Sequence, residues 1–233
     1  MIAENFVEFV HGAIPDLLDS SGRVLYSAFR TMQAGNLYIL GINPGGDPVT
    51  LAANTIRANL TALPGCTENA YIDENWGKKG PGNGKVQRRL RYIVESILGE
   101  KLADVCASNL VFVRSKRSES VKDVAFAHKC WIVHRQILKL VRAKIILSLG
   151  NGPGTAYQYI RRFAHDPAQS CSAEDSRLSG YSNWRCKSFD ASIDGRVTRV
   201  IGLPHPSFYL MEGKVDAISW LREKAERATA LSS

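Results

Sequence analysis

The stretch that decides the fold is Leu37-Tyr-Ile-Leu-Gly-Ile-Asn-Pro-Gly-Gly-Asp-Pro48. Its first half, residues 37–42, is a continuous apolar run with β-branched members, which indicates a strand buried on both faces. The second half breaks into prolines and glycines, which exclude a helix and predict a tight loop at the carboxyl end of the strand. Because ligands bind at that end of open α/β sheets, we expect a stiff scaffold to present Asn43 to a ligand. The alternative is an ordinary turn that Asn43 merely caps.

Three further segments predict main strands, at residues 105–113, 144–149 and 196–203. Apolar positions at helical spacing predict helices near them, at residues 85–98, 120–141, 155–163 and 212–231. Strands that alternate with helices indicate an α/β fold, a mostly parallel central sheet of about four main strands with helices on both faces. Residues 164–180 are predicted as a loop and residues 181–189 as an additional edge strand.

The chain length of 233 residues suits a single domain spanning residues 1–233. Within it we predict a helical N-terminal extension over residues 1–36. Residues 64–84, rich in Gly, Pro and Asn, are predicted as a long loop, and loops of that length are often functional. No apolar run approaches the roughly 20 residues of a membrane span, and no targeting signal opens the chain. We therefore expect an intracellular, cytoplasmic protein.

The composition favours a polyanionic partner over a metal or a cofactor. Lys and Arg number 30 against 22 Asp and Glu, a formal net charge of +8, and neutralising phosphates releases counterions. The five cysteines are scattered and include no C-x-x-C pair, which argues against structural zinc, an iron–sulfur cluster and a disulfide framework. We expect no metal and no cofactor.

Three strands end in loops of unusual composition: Gly41-Ile-Asn-Pro-Gly-Gly, Gly150-Asn-Gly-Pro-Gly and Leu203-Pro-His-Pro-Ser. If these strands are parallel, the loops open on one edge and converge on one cleft. A dinucleotide-binding fingerprint is excluded because Asn43 and Pro44 stand where its second glycine and helix start belong. A phosphate loop at residues 80–85 is disfavoured because Lys79 and Val86 replace its Gly and its Ser or Thr.

The first and last of these loops carry a resemblance to a known family. Gly41-Ile-Asn-Pro-Gly45 resembles the first motif of the uracil-DNA glycosylase superfamily, in the form of its mismatch-specific uracil/thymine branch and its single-strand-selective branch. Leu203-Pro-His-Pro-Ser207 resembles the second motif. The two motifs occur in the right order, and the resemblance covers most of residues 37–210. It implies a monomeric DNA glycosylase that flips a uracil or a related deaminated base out of DNA and hydrolyses its N-glycosidic bond.

The resemblance also implies roles for individual residues. His205 would form a hydrogen bond with O2 of the base, where negative charge develops. Asn43 would hold the attacking water. Asn109 would read the edge of the base, against which Gly41 and Ile42 would lie. Because an amide is a poor general base, we expect slow turnover. Asp47 could supply a carboxylate, although a role in forming the turn is more common for such a residue.

The resemblance also implies an aromatic residue that stacks on the base and a side chain that enters the space the base leaves, and we choose these residues by their chemistry. Trp76, with Tyr71 as second choice, is predicted to stack on the flipped base, and structural packing is the alternative. Ser207 is predicted to contact DNA, and Phe208 or Tyr209 after it is predicted to enter the space that the base leaves, because apolar side chains split base steps. Phosphate contacts are predicted for the basic residues after the second strand, Arg114, Lys116 and Arg117, for which a solvated surface is the alternative.

Two other functions stay open at this point. One is a catalytically silent nucleic-acid-binding relative that keeps the pocket. The other is a small-molecule or nucleoside enzyme built on the same sheet.

Overall fold

A six-stranded sheet forms the centre of the protein in the computed structural model, which describes residues 2–49, 51–116, 124–164 and 171–230. The strands are β1 (Leu37–Gly41), β2 (Cys106–Asn109), β3 (Ile145–Leu149), β4 (Asp175–Leu178), β5 (Arg185–Ile193) and β6 (Arg196–Leu203). The α-helices are α1 (Ile2–Ala13), α2 (Ile56–Ala62), α3 (Lys85–Arg91), α4 (Val124–Val141), α5 (Ala156–Phe163) and α6 (Val215–Ala230). A π-helical stretch, Tyr92–Ile97, continues α3.

The strand order is β2-β1-β3-β6-β5-β4. The four strands β2, β1, β3 and β6 are mutually parallel, and β5 and β4 are antiparallel. The α/β class and the mostly parallel sheet are therefore confirmed, whereas the predicted count of about four strands is too low.

Strand β5 overlaps the additional strand predicted at residues 181–189, but it lies between β6 and β4 and not at the edge of the sheet. The β5–β6 hairpin turns through Asp194 and Gly195, both at positive φ (52° and 74°), and Asp-Gly between two strands is a strong hairpin signal that the sequence interpretation passed over. Strand β4 falls inside the predicted loop at residues 164–180. Its sequence, Asp-Ser-Arg-Leu, is mostly exposed and has no alternating apolar pattern, so its pairing with β5 could not be recognised locally.

Helices cover both faces of the sheet, because side chains of the buried strands alternate between two cores. Tyr38 and Leu40 of β1 face the core that contains α1, α4 and α5. Leu37 and Ile39 face the core that contains α3, its π-helical continuation and α6. Among the described residues, no helix combines the length and the apolar character needed to cross a membrane.

The first 36 residues are not helical throughout. After α1, the chain runs along the open edge of β2 with bridges from Gly22 to Val113 and from Leu25 to Ser108. The amide of Tyr26 donates to the Ala107 carbonyl at 2.8 Å. This segment covers an edge that would otherwise expose unpaired backbone groups.

Candidate functional site

The loops after β1, β3 and β6 leave the sheet on the same edge and at the same level. Gly41 pairs with Asn109 of β2, Leu40 pairs with Ser148 of β3, and Leu149 pairs with Leu203 of β6. Because adjacent strands lie about 4.8 Å apart, the ends of β1 and β6 are separated by roughly 10 Å, with β3 between them. The three loops with unusual composition therefore surround one region.

The amide of Asn43 is held in one orientation by its neighbours. Its Nδ2 donates to the Pro44 carbonyl at 2.8 Å and to Ser115 Oγ at 2.8 Å. A carbonyl can only accept, so the nitrogen must face it and Oδ1 must point away. The segment after β2 supports this loop, since Ser115 N donates to the Pro44 carbonyl at 3.0 Å and Val111 N donates to the Ile42 carbonyl at 2.9 Å. Asn43 thus presents an acceptor oxygen.

The imidazole of His205 is held by its own loop. The Ser207 amide donates to Nδ1 at 3.1 Å, and Ser207 Oγ lies 2.7 Å from the same nitrogen. Since a backbone N–H can only donate, Nδ1 is the unprotonated nitrogen and the neutral ring carries its hydrogen on Nε2. Burial lowers the pKa of His205, which favours this neutral form. Among the described residues the hydrogen bonds of this ring are both at Nδ1, which leaves Nε2 as a free donor.

Asn109 lies at the end of β2 and packs against Gly41. A Cβ at position 41 would stand 2.1 Å from Asn109 Oδ1, so only glycine leaves room for this amide. The side chain is 5% exposed, and its Nδ2 has no hydrogen-bond partner among the described residues. A buried amide nitrogen without a partner costs about 1–3 kcal/mol, and a ligand that supplies an acceptor would remove that cost.

Strand β3 ends between these groups in a glycine. Gly150 has φ of +106°, and a Cβ there would lie 3.0 Å from Thr155 Cγ2 and 4.0 Å from His205 Cβ. The middle of the edge is therefore occupied by backbone alone, beside His205.

An aromatic cluster adjoins the β2 end of this edge. The ring centroids of Tyr71 and Trp76 lie 5.2 Å apart, and Tyr26 lies 6.0 Å from Tyr71 and 6.3 Å from Trp76. Tyr71 is buried, and the half-buried Trp76 donates from Nε1 to Glu74 Oε2 at 2.7 Å. Both aromatic residues predicted from the sequence are thus together, although packing accounts for the ring of Tyr71.

Tyr26 is the site residue that the sequence interpretation missed. It lies in a segment with no motif, and only the apolar run from Val24 to Tyr26 hinted at burial. Burial raises the pKa of its phenol to about 12, while the guanidinium groups of Arg114 and Arg23 act against that rise. The Asn109 amide adjoins this phenol without a hydrogen bond of normal geometry from Nδ2.

The two residues after Ser207 have opposite environments. Phe208 is 72% exposed, whereas Tyr209 is 1% exposed and donates from its hydroxyl to the Ser179 carbonyl at 2.6 Å. Backbone amides of both residues donate to the His205 carbonyl, at 2.9 and 3.0 Å. Phe208 is therefore available at the rim of the site, and Tyr209 belongs to the core beneath it.

The predicted phosphate contacts are mostly engaged within the protein. Arg114 donates from Nη1 to the Gly45 carbonyl and so supports the Asn43 loop. Lys116 pairs with Asp47 at 3.3 Å, and Asp47 also accepts from the Val49 amide at 3.2 Å. The Val49 amide and then Lys116 lower the pKa of Asp47, as expected for a turn-forming carboxylate. Arg117 lies outside the described residues.

Five cavities on the described surface are lined by residues other than Asn43, Asn109 and His205. One of them, of about 560 Å³, borders the aromatic cluster at Trp76. In the described ranges, no three His, Cys, Asp or Glu side chains are grouped so that they could hold a metal ion, and all five cysteines are free thiols.

Comparison of the sequence with protein-family models and with curated proteins gives no match. The interpretation of this edge therefore rests on its residues and their geometry.

Proposed function

We propose that the protein is a DNA glycosylase that removes uracil or a related deaminated base from DNA. The observation that carries the proposal is the buried Nδ2 of Asn109, which lacks a partner at the same sheet edge that presents Asn43 and His205. Most buried polar groups have a hydrogen-bond partner, so an unpaired donor beside two other polar residues is a candidate contact for a ligand. This one leaves a donor for a ligand.

The donor and acceptor pattern of Asn109 fits a uracil edge. Its Nδ2 would donate to O4 of the base, and its Oδ1 would accept from N3–H. Thymine shares this edge, whereas cytosine presents an amino group where O4 would be and an acceptor where N3–H would be. Two buried donors facing each other cost more than a missing hydrogen bond, so the amide discriminates against cytosine in this orientation, and a half-turn of the amide would exchange its donor and acceptor.

His205 supports the proposal because its neutral tautomer carries an N–H that can donate a hydrogen bond to the leaving base as negative charge develops on it. When the C1′–N1 bond breaks, its electron pair leaves with the base and spreads onto O2. The Nε2–H of His205 would donate to O2, in a partly buried setting where such a hydrogen bond is stronger than in water. The Ser207 amide keeps the hydrogen on Nε2 by occupying Nδ1.

Asn43 is suited to position the water. Its free Oδ1 would accept a hydrogen bond from a water molecule whose oxygen attacks C1′ as the bond to N1 breaks. The water then loses a proton to the solvent, and the departing base takes one up, so the products are an abasic sugar and free base. Because an amide is a very weak base, turnover would be slow.

The site has to open for a base to enter. None of five cavities on the described surface is lined by Asn43, Asn109 or His205, and we propose that the loops at residues 42–48 and 204–210 move when a base enters. Movement of loops coupled to substrate binding is common among enzymes.

The deciding experiment is an excision assay on labelled oligonucleotides. Uracil, hypoxanthine, xanthine and thymine are placed in single and double strands, and alkali-cleavable abasic product is measured over hours. We expect release of uracil by the unaltered protein and strongly reduced release by Asn43→Ala and by His205→Ala. Equal release by the protein and by both variants would contradict the proposed roles.

A second function, binding of nucleic acid without catalysis, is favoured by one observation. Asp47, the carboxylate nearest to Asn43 in the sequence, is held by the Val49 amide and by Lys116. A site that relies on an amide alone could retain binding with no measurable turnover. Salt-dependent DNA binding with no abasic product on any substrate would support this function instead.

A further inference from the structure

The cavity at Trp76 is a basic groove. It encloses about 560 Å³ between the loop before α3 and α3 itself. The loop contributes Trp76, Lys78 and Lys79, and the helix contributes Lys85, Arg88 and Arg89. Five cationic side chains therefore line it, and Glu212 is the single acidic residue in its lining.

The cations of this groove are not neutralised within the described part of the chain. Lys78, Lys79, Lys85 and Arg88 are exposed, and none of the four forms an ion pair with a described residue. Glu74, the nearby acid in the loop, is already paired with Arg23 and with Trp76 Nε1. The positive potential of the groove is thus available to a ligand.

The two walls are held in fixed relation by a buried glutamine. Gln87 Nε2 donates to the carbonyls of Ala70 and Glu74, at 2.8 and 2.7 Å, and its Oε1 accepts from the Gly84 amide at 2.8 Å. Gly82, at φ of +66°, packs against the Ile72 carbonyl, where a Cβ would approach to 2.4 Å. The lysines of the loop are therefore already placed opposite the arginines of α3, which lowers the entropic cost of binding.

The groove is continuous with the candidate site. Trp76 belongs to both the groove and the aromatic cluster, and Arg89 donates from Nη1 to the Pro206 carbonyl at 2.8 Å, next to His205. Leu210, two residues beyond the exposed Phe208, also lines the groove. A chain lying in the groove would pass directly to the edge where Asn109 and His205 lie.

From these observations we infer that the groove binds the phosphate backbone of the DNA strand beside the base that the site accepts. The inference rests on the proposed function in taking DNA as the polyanion. Exposed cations bind phosphates, and the aromatic rings of Trp76 and Tyr92 among them offer surfaces on which bases stack. An acidic peptide would use the cations but would have no use for these rings.

The test measures binding to an undamaged oligonucleotide, so that it does not depend on catalysis. The groove variant is Lys78→Ala/Lys79→Ala/Arg88→Ala, and the matched control is Lys101→Ala/Arg162→Ala/Arg196→Ala, which removes three exposed cations elsewhere. Both lower the net charge equally. Affinity is followed by fluorescence anisotropy across a salt series, for single strands and duplexes.

In a plot of log affinity against log salt concentration, we expect the slope of the groove variant to be smaller in magnitude by about 2 to 3. Each lost phosphate contact reduces the magnitude of the slope by about 0.7–0.9. The control should keep the slope of the unaltered protein. Equal flattening in both variants, or none in the groove variant, would overturn the inference. So would displacement of the oligonucleotide by polyglutamate as effectively as by unlabelled DNA.

If the triple variant does not fold, Lys79→Gln alone should reduce the slope by just under 1. A flattened slope in a protein that releases no base would leave the groove assigned and remove the glycosylase proposal. Base release by the unaltered protein, together with an unchanged salt slope in the groove variant, would support the glycosylase proposal and overturn the assignment of the groove.

Discussion

Two histidines of this protein occupy contrasting regions, His134 on the buried face of α4 and His205 in the loop after β6. Burial favours the neutral form of both rings, since it lowers the pKa of His205 and lowers the pKa of His134 to about 4. His134 uses both nitrogens, since Nδ1 lies 2.8 Å from the Tyr38 hydroxyl and Nε2 lies 3.1 Å from the Leu110 carbonyl. His205 uses only Nδ1.

The same contrast separates two buried asparagines. Asn69 donates from Nδ2 to the Leu102 carbonyl at 3.1 Å and accepts at Oδ1 from the Tyr71 amide at 3.0 Å. The Nδ2 of Asn109 has no such partner among the described residues. A polar side chain with all its groups satisfied stabilises the fold, and one with a group left over is available to a ligand. Asn109, at the sheet edge, is of the second kind.

The largest expected effect tests His205 against His134. His205→Ala should lower the rate of uracil release roughly 100- to 1,000-fold, as loss of a donor to a developing negative charge does. Single-turnover excision measures it, and the thermal unfolding temperature should stay within a few degrees of the unaltered protein. A comparable loss of rate in a correctly folded His134→Ala protein would break the contrast.

His134→Ala should act on stability instead. The substitution leaves the Tyr38 hydroxyl and the Leu110 carbonyl unpaired around a cavity, at a cost of about 3 kcal/mol. Because the folded pKa is lowered, His134 also makes stability fall as the pH drops from about 6.5 to about 4, where the unfolded chain binds the proton first. Urea unfolding at several pH values measures both, and this part of the pH dependence should disappear in the variant.

Asn109→Leu is expected to separate binding from folding. Removing a buried donor that lacks a partner should cost little stability, whereas loss of its contacts with the base should slow uracil release about 5- to 150-fold. Asn69→Leu is the matched control and should destabilise the fold by about 1–3 kcal/mol, since it leaves the Leu102 carbonyl and the Tyr71 amide unpaired. Similar loss of stability in both variants would show that Asn109 is a core residue like Asn69.

The smallest effects come from the neighbouring aromatic residues. Phe208→Ala should weaken duplex binding by about 1 kcal/mol, or roughly fivefold, and leave the unfolding temperature unchanged, because the ring is exposed. Tyr209→Phe should cost about 1 kcal/mol of stability through loss of its hydrogen bond to Ser179, without changing DNA affinity. The opposite pattern would reverse the assignment of the two rings.

Local pattern was sufficient for much of the fold. The bounds of β1, β3, β6 and α5 were predicted closely, because buried parallel strands and a helix with a strong apolar face leave clear periodic signals. Strand β4 was missed because an exposed edge strand needs no apolar pattern. The path of residues 21–27 along β2 was missed because long-range pairing with an irregular partner leaves no local trace.

The candidate site divides in the same way. Asn43 and His205 were found because proline and glycine beside a strand end mark a loop whatever surrounds it. Tyr26 was missed, and Phe208 could not be distinguished from Tyr209, because exposure and proximity depend on what the rest of the chain brings near.

By itself, the sequence determined the α/β class, the parallel strands and the polar residues that follow them, because these depend on the order of apolar and turn-forming residues along the chain. The tertiary structure alone decided which donors and acceptors remain unused. Whether Asn109 and His205 keep a free group depends on neighbours distant in sequence, and hydrogen bonding is satisfied only by groups that meet in space.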